Sequence, residues 1–115
     1  VIATNTTIER PKLKSKHRTE TGGLSGKPLL KRSTAMIRTL FAELGADIPI
    51  IGVGGTFNGA DAYEKISLGA SLIQIYTALV YKGPFVVGKI LEGLEELLQR
   101  DGFSNIKAAI GHRVR

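Results

Sequence analysis

Three short apolar runs, "VIAT" at 1–4, "IPIIGV" at 48–53 and "SLIQIY" at 71–76, alternate with stretches of helical periodicity. Val- and Ile-rich runs closed off by Gly, Asn or Pro suit buried parallel strands covered on both faces. In the first intervening stretch Ser33 stands where an N-cap belongs. Behind it Ile37, Leu40, Phe41 and Leu44 fall at i, i+3, i+4 and i+7, and Gly45 is a stop. A second helix is predicted from Asn58 to Leu68, with Asn58 as its cap and Gly69 behind it. Val87, Ile90, Leu91, Leu94, Leu97 and Leu98 make one apolar stripe, opened near Gly83-Pro84 and ended by Asp101-Gly102. A short last helix, Ser104 to Ile110, stops at Gly111.

Strand and helix in alternation define an α/β fold with a parallel sheet. Three strands do not easily make a stable sheet of this kind alone. The expectation is therefore that residues 1–115 form the C-terminal portion of a (β/α)8 barrel of about 250 residues. They would supply about the last three βα units, with the N-terminal part absent from this sequence. With 115 residues there is room for one domain with a modest core. No apolar run reaches the roughly 18 residues of a membrane span. Without cysteine, these residues hold no disulfide, thiolate metal site or cysteine nucleophile.

The net charge of +6 is concentrated. Between Glu9 and Arg32 eight Lys or Arg face two Glu, and the remainder of the chain is balanced. This basic stretch lies in a connection of about 26 residues, Thr7 to Arg32, without hydrophobic periodicity; such loops are usually functional or disordered. Its first part, "ERPKLKSKHRTE", reads as a mobile polar excursion, whereas "TGGLSGKPL" reads as a fixed backbone shape. A basic tract is also the footprint of a nucleic-acid binder. This one lacks the interleaved aromatics that would stack on bases, so no nucleic-acid partner is expected.

The glycine pair behind "IPIIGV" is the first candidate site. In barrels of this kind ligands sit beyond the C-terminal strand ends, and phosphate binds to the loops after strands 7 and 8. Gly54 and Gly55, ahead of the Asn58 helix, would let peptide N–H groups reach an anion. For a lone Gly-Gly a plain turn requiring positive φ is the better explanation. The next strand end brings Tyr76 and Thr77 alongside, with two more N–H groups. "TNTT" at 4–7 is the second candidate: Thr4, Asn5 and Thr6 offer hydroxyl and carboxamide groups at a strand terminus, suited to a planar imide. An Asx-turn or cap is the competing explanation. His17 and His112 read as solvated surface with no metal partner. Asp61 and Glu64 are accounted for by the helix dipole. Glu92, Glu95 and Glu96 read as a solvated helix face, and no set of side chains is spaced for acid–base catalysis.

Taken together, "NTT", "ETGGLSGKPL", "IPIIGVGG", "DAYEKISLGASLIQIYTALVYKGP" and "AIG" resemble the C-terminal part of the dihydroorotate dehydrogenases. "TGGLSGKPL" and "QIYTALVYKGP" favour the quinone-using class 2. The resemblance implies an FMN-containing barrel that oxidises dihydroorotate to orotate in pyrimidine (UMP) synthesis, with a ubiquinone-type acceptor and membrane association. The membrane would be the mitochondrial inner membrane in a eukaryote, or the cytoplasmic side of the inner membrane in a bacterium. It implies FMN contacts at Thr4, Gly26, Gly55, Tyr76 and Thr77, with Ser25 and Gly54 flanking them, and substrate contacts at Asn5 and Thr6. The catalytic base, a serine in class 2, and the quinone entrance would precede residue 1, leaving this chain without turnover by itself. Another FMN-dependent phosphate-binding barrel is the alternative.

Overall fold

The computed structural model describes residues 1–10 and 12–115; Pro11, within the stretch "ERPKLKSKHRTE", lies outside the described residues. Three parallel strands form one sheet: β1 (Ile2–Ala3), β2 (Ile51–Val53) and β3 (Leu72–Gln74), in the order β1-β2-β3. Ile2 pairs with Ile51 and Ile51 with Leu72; Ala3 pairs with Gly52 and Gly52 with Ile73. The strands are shorter than the apolar runs because the ladder narrows at its ends. Single bonds carry it further, from Thr4 N–H to the Val53 carbonyl (3.1 Å) and from Ser71 N–H to the Ile50 carbonyl (2.7 Å). The peptide bond between Ala3 and Thr4 is cis.

Helices follow each strand: α1 (Leu30–Leu44), α2 (Gly59–Ser67), α3 (Thr77–Lys82), α4 (Val86–Arg100) and α5 (Ile106–Ala109). Ser33 is not the cap of α1. A 3₁₀ turn over Lys27–Leu29 containing Pro28 leads straight into the helix, and Leu29 takes the cap position. Asn58 does cap α2, its Oδ1 accepting the Asp61 N–H at 2.8 Å. Gly45 ends α1 with φ 71°. On α4 the buried line is Val86, Ile90 and Leu94, whereas Val87 and Leu91 are exposed, so the predicted stripe is rotated partly outward. The last helix is shorter than the predicted 104–110, running Ile106–Ala109 with Asn105 as its cap.

Packing is set by how closely backbones approach. Gly52 presents β2 directly to the helices: a Cβ there would stand 2.8 Å from Ile37 and 3.1 Å from Ala70. Helices α2 and α4 touch backbone to backbone at Gly59 and Gly93. Ile73 joins all three apolar clusters, centred on Ile37 and Phe41, on Ala62 and Val86, and on Tyr63 and Leu94. The expectation of strands covered on both faces fails within this chain. The row Ala3–Gly52–Ile73 meets the helices, while in the row Ile2–Ile51–Leu72 both outer residues are more than 60% exposed. The helices pack on one face of the sheet, so its other face meets solvent.

Residues 8–10 and 12–23 leave the sheet as a pinned excursion. Thr7 and Leu24 exchange both backbone hydrogen bonds across its neck. Gly23 lies so close to Thr6 that a Cβ would overlap its hydroxyl. Arg10 donates to the carbonyls of Glu20 and Gly22, and Arg32 on α1 pairs with Glu9 at 2.6 Å. His17 and Glu20 pair at 2.6 Å across a turn in the same excursion.

Candidate functional site

The C-terminal strand ends open on a cleft of about 360 Å³. Thr4, Asn5 and Thr6 line it after β1, and Gly54 and Gly55 after β2. Tyr76 and Thr77 line it after β3, and Ser25 and Gly26 close it from the returning excursion. All nine sequence-predicted residues thus share one cavity. Thr56, Phe57 and Gln74, which the sequence reading passed over, line it as well. Thr77 Oγ1 donates to Ser25 Oγ at 3.0 Å, joining the excursion to the start of α3.

Among the described residues, no charged side chain lines the cleft. Lys27, which follows Gly26 of the lining, is held by Asp61 at 2.7 Å and lies 5.7 Å from the centre of the Phe57 ring. The same Asp61 oxygen accepts the Phe57 N–H at 2.9 Å, so this buried carboxylate pins the loop before α2. It does more than complement the helix dipole. Among the described residues, no protein acceptor takes up the N–H groups of Gly26, Gly55, Thr56 or Thr77. Free peptide N–H groups of this kind are the donors with which neutral backbone can meet an anion.

The two glycines have reasons of their own. Gly54 and Gly55 adopt φ 113° and 74°, and a Cβ on Gly55 would stand 2.5 Å from the backbone nitrogen of Leu30. Turn geometry and packing against α1 therefore account for their identity, as the plain-turn explanation holds. Two other residues of the cleft have polar groups left over. Among the described residues, the Thr4 and Thr56 hydroxyls are buried with no hydrogen-bond partner, and both residues line the cleft. Buried polar groups are nearly always paired, so two orphans at one cavity fit a polar ligand. Asn5 Oδ1 accepts the Thr6 N–H at 2.7 Å, as a local turn would have it, while the rest of the carboxamide faces no protein partner among the described residues.

Behind the cleft lies a feature that the sequence reading missed. Lys65 is fully buried; its Nζ donates to Ser33 Oγ at 2.6 Å and to Thr34 Oγ1 at 2.9 Å. Burial pulls its ammonium down to about 8. The signal was available: Ala62, Lys65, Ile66 and Gly69 fall at i, i+3, i+4 and i+7, which puts a lysine on the core face. His112 is likewise half-buried instead of solvated, its ring 5.0 Å from that of Phe103 and its Nδ1 2.9 Å from the Ala109 carbonyl. Among the described residues no cluster of His, Asp or Glu could hold a metal ion, and no helix is long and apolar enough to cross a membrane.

Parallel βα units with a cleft at their C-terminal strand ends define an α/β protein of the barrel type. A family profile, dihydroorotate dehydrogenase, matches residues 1–98. The chain is 48% identical over its whole length to a dihydroorotate dehydrogenase (quinone) of Nostoc punctiforme, covering 33% of that protein. It is 53% identical, again over its whole length, to one of Xanthobacter autotrophicus, covering 32%. A crystal structure of ligand-free DHODH from Eimeria tenella superposes with a TM-score of 0.95 at 41% identity, over 99% of this chain and 32% of that one. The chain belongs to the dihydroorotate dehydrogenase family, and it spans about a third of the length of the relatives it matches.

Proposed function

We propose that this chain works as the C-terminal part of a quinone-linked dihydroorotate dehydrogenase, forming the phosphate-binding end of an FMN site and part of the pyrimidine pocket. The observation that carries this reading is the gathering of three strand ends and the "LSG" loop around one cleft with two orphaned threonine hydroxyls. When bound, FMN supplies the two-electron acceptance that takes dihydroorotate to orotate and hands the electrons to a ubiquinone-type acceptor, in UMP synthesis. The peptide N–H groups of Gly26, Gly55, Tyr76 and Thr77 would hold the phosphate, with Ser25 and Gly54 shaping the turns on either side. Thr4 would give its hydroxyl to the flavin. Asn5 and Thr6, on the exposed lip, would hold the pyrimidine by donating and accepting at its amide edges.

The catalytic base and the quinone entrance would come from sequence outside this chain, as would the contact with the membrane. The protein would accordingly be membrane-associated only through that other part. Expression of the full-length protein tests the reading. It should purify yellow, release FMN on denaturation, and form orotate at a rate that depends on added quinone. Turnover of a 2-hydroxy acid with none of dihydroorotate would overturn it in favour of another FMN-dependent barrel.

A further inference from the structure

We infer that Lys65 is a positioning residue for the anion-binding peptide: through Ser33 it fixes the direction of the Gly55 N–H. This rests on the reading of the cleft as a phosphate site. The peptide between residues 54 and 55 is flanked by two glycines with positive φ, so few steric restraints keep it from flipping. Its carbonyl is clamped: Ser33 Oγ donates to the Gly54 oxygen at 2.8 Å, while a second carbonyl, of Leu30, lies at 3.0 Å. A serine has one proton to give. Which way it points is decided by the third partner, Lys65 Nζ at 2.6 Å. An ammonium only donates, so Ser33 must accept from it and turn its own proton to a carbonyl, the nearer being that of Gly54.

In a trans peptide the C=O and N–H point in opposite directions. Holding the Gly54 oxygen toward α1 therefore aims the Gly55 N–H away from α1, and that N–H has no acceptor among the described residues. The chain from ammonium to hydroxyl to carbonyl also polarises this peptide, which strengthens its N–H as a donor. The cost of the arrangement argues for a purpose. A buried lysine without a carboxylate partner is unfavourable, and neither acid of its own helix, Glu64 or Asp61, forms an ion pair with it among the described residues, Asp61 being engaged by Lys27 and the Phe57 N–H. The facing residues of α1, Ser33 and Thr34, are uncharged, and Gly52 of β2 lies against the lysine stem.

The test compares two flavins on the apo form of the full-length protein. FMN carries the phosphate and riboflavin lacks it, so the ratio of their dissociation constants isolates the Gly55 end of the cleft. Lys65→Met and Ser33→Ala should each weaken FMN about tenfold, the scale of a lost charge-assisted hydrogen bond, and leave riboflavin unchanged. Equal weakening of both flavins, or no change in either, would overturn the relay. Should Lys65→Met fail to fold, Ser33→Ala alone decides, since it frees the Gly54 carbonyl and keeps the lysine. Equal affinity of the unsubstituted protein for FMN and riboflavin would instead sink the phosphate reading itself.

Discussion

At Gly55 two demands coincide, a φ of 74° and the backbone of Leu30 standing where a Cβ would be. Replacement by alanine meets both the left-handed penalty and a clash with main chain that cannot rotate away. Gly55→Ala should therefore destabilise the full-length protein by about 2–4 kcal/mol, read from its urea unfolding midpoint. An unchanged midpoint would mean that α1 yields more easily than this packing allows. Thr4 poses the opposite case, because its buried hydroxyl meets no partner in the protein. Thr4→Val keeps the shape and removes the orphan. It should leave the ligand-free protein as stable or up to about 1 kcal/mol more so, while lowering FMN occupancy of the purified enzyme. Full occupancy in the variant would detach Thr4 from the cofactor. These residues were legible as strand-end glycines and hydroxyls, but the reason for each glycine was not. A positive φ and a neighbouring helix 25 residues away in sequence leave the same one-letter trace.

Among the elements, α2 was read correctly from its cap and its stop, because the Asn58 side chain and the Gly69 N–H, which donates to the Ile66 carbonyl, act through local bonds that sequence spacing displays. The start of α1 was misplaced because Ser33, a good cap by type, was recruited into a tertiary bond with Gly54. Helix α3 went unread: its six residues are too few for periodicity, and Val80 and Tyr81 are exposed apolar residues that read as strand. A contact between elements gives a testable pH effect. Tyr63 on α2 donates to Asp101 at the end of α4 at 2.5 Å. Hydrogen bonds from Arg100 first and Tyr63 second hold the Asp101 carboxyl down to about 2, from 3.8. With the folded value depressed, this contribution is present above pH 3.8 and is lost as pH falls through about 2. Tyr63→Phe removes one of the two donors, so acid unfolding followed by circular dichroism should begin at a higher pH in the variant. Coincident acid midpoints would show that Arg100 alone sets the carboxyl.

At the scale of the whole molecule, the alternation of apolar runs and helical stripes was enough to give a parallel α/β architecture. What it could not give was the coverage of the sheet. Val- and Ile-rich strands look alike in sequence whether their second face meets helices, other strands or water. In the structure the smallest dimension is 20 Å, about one sheet and one layer of helices. Leu72 is 61% exposed on the far face, and Val80, Tyr81 and Phe85 are each more than 70% exposed around α3. Such apolar surface, together with unpaired outer edges on β1 and β3, is what a further set of βα units would bury. If residues 1–115 act as part of a barrel, the isolated segment should lack that burial. It should then bind an apolar dye such as ANS, self-associate in sedimentation, and retain no FMN, whereas the full-length protein does the reverse. Both edges matter equally to this expectation, since the open side of β1 and that of β3 each need a neighbour. A monomeric, cooperatively unfolding preparation of the segment that holds FMN with a defined stoichiometry would show that three βα units suffice. It would also detach the cleft from any dependence on the rest of a barrel.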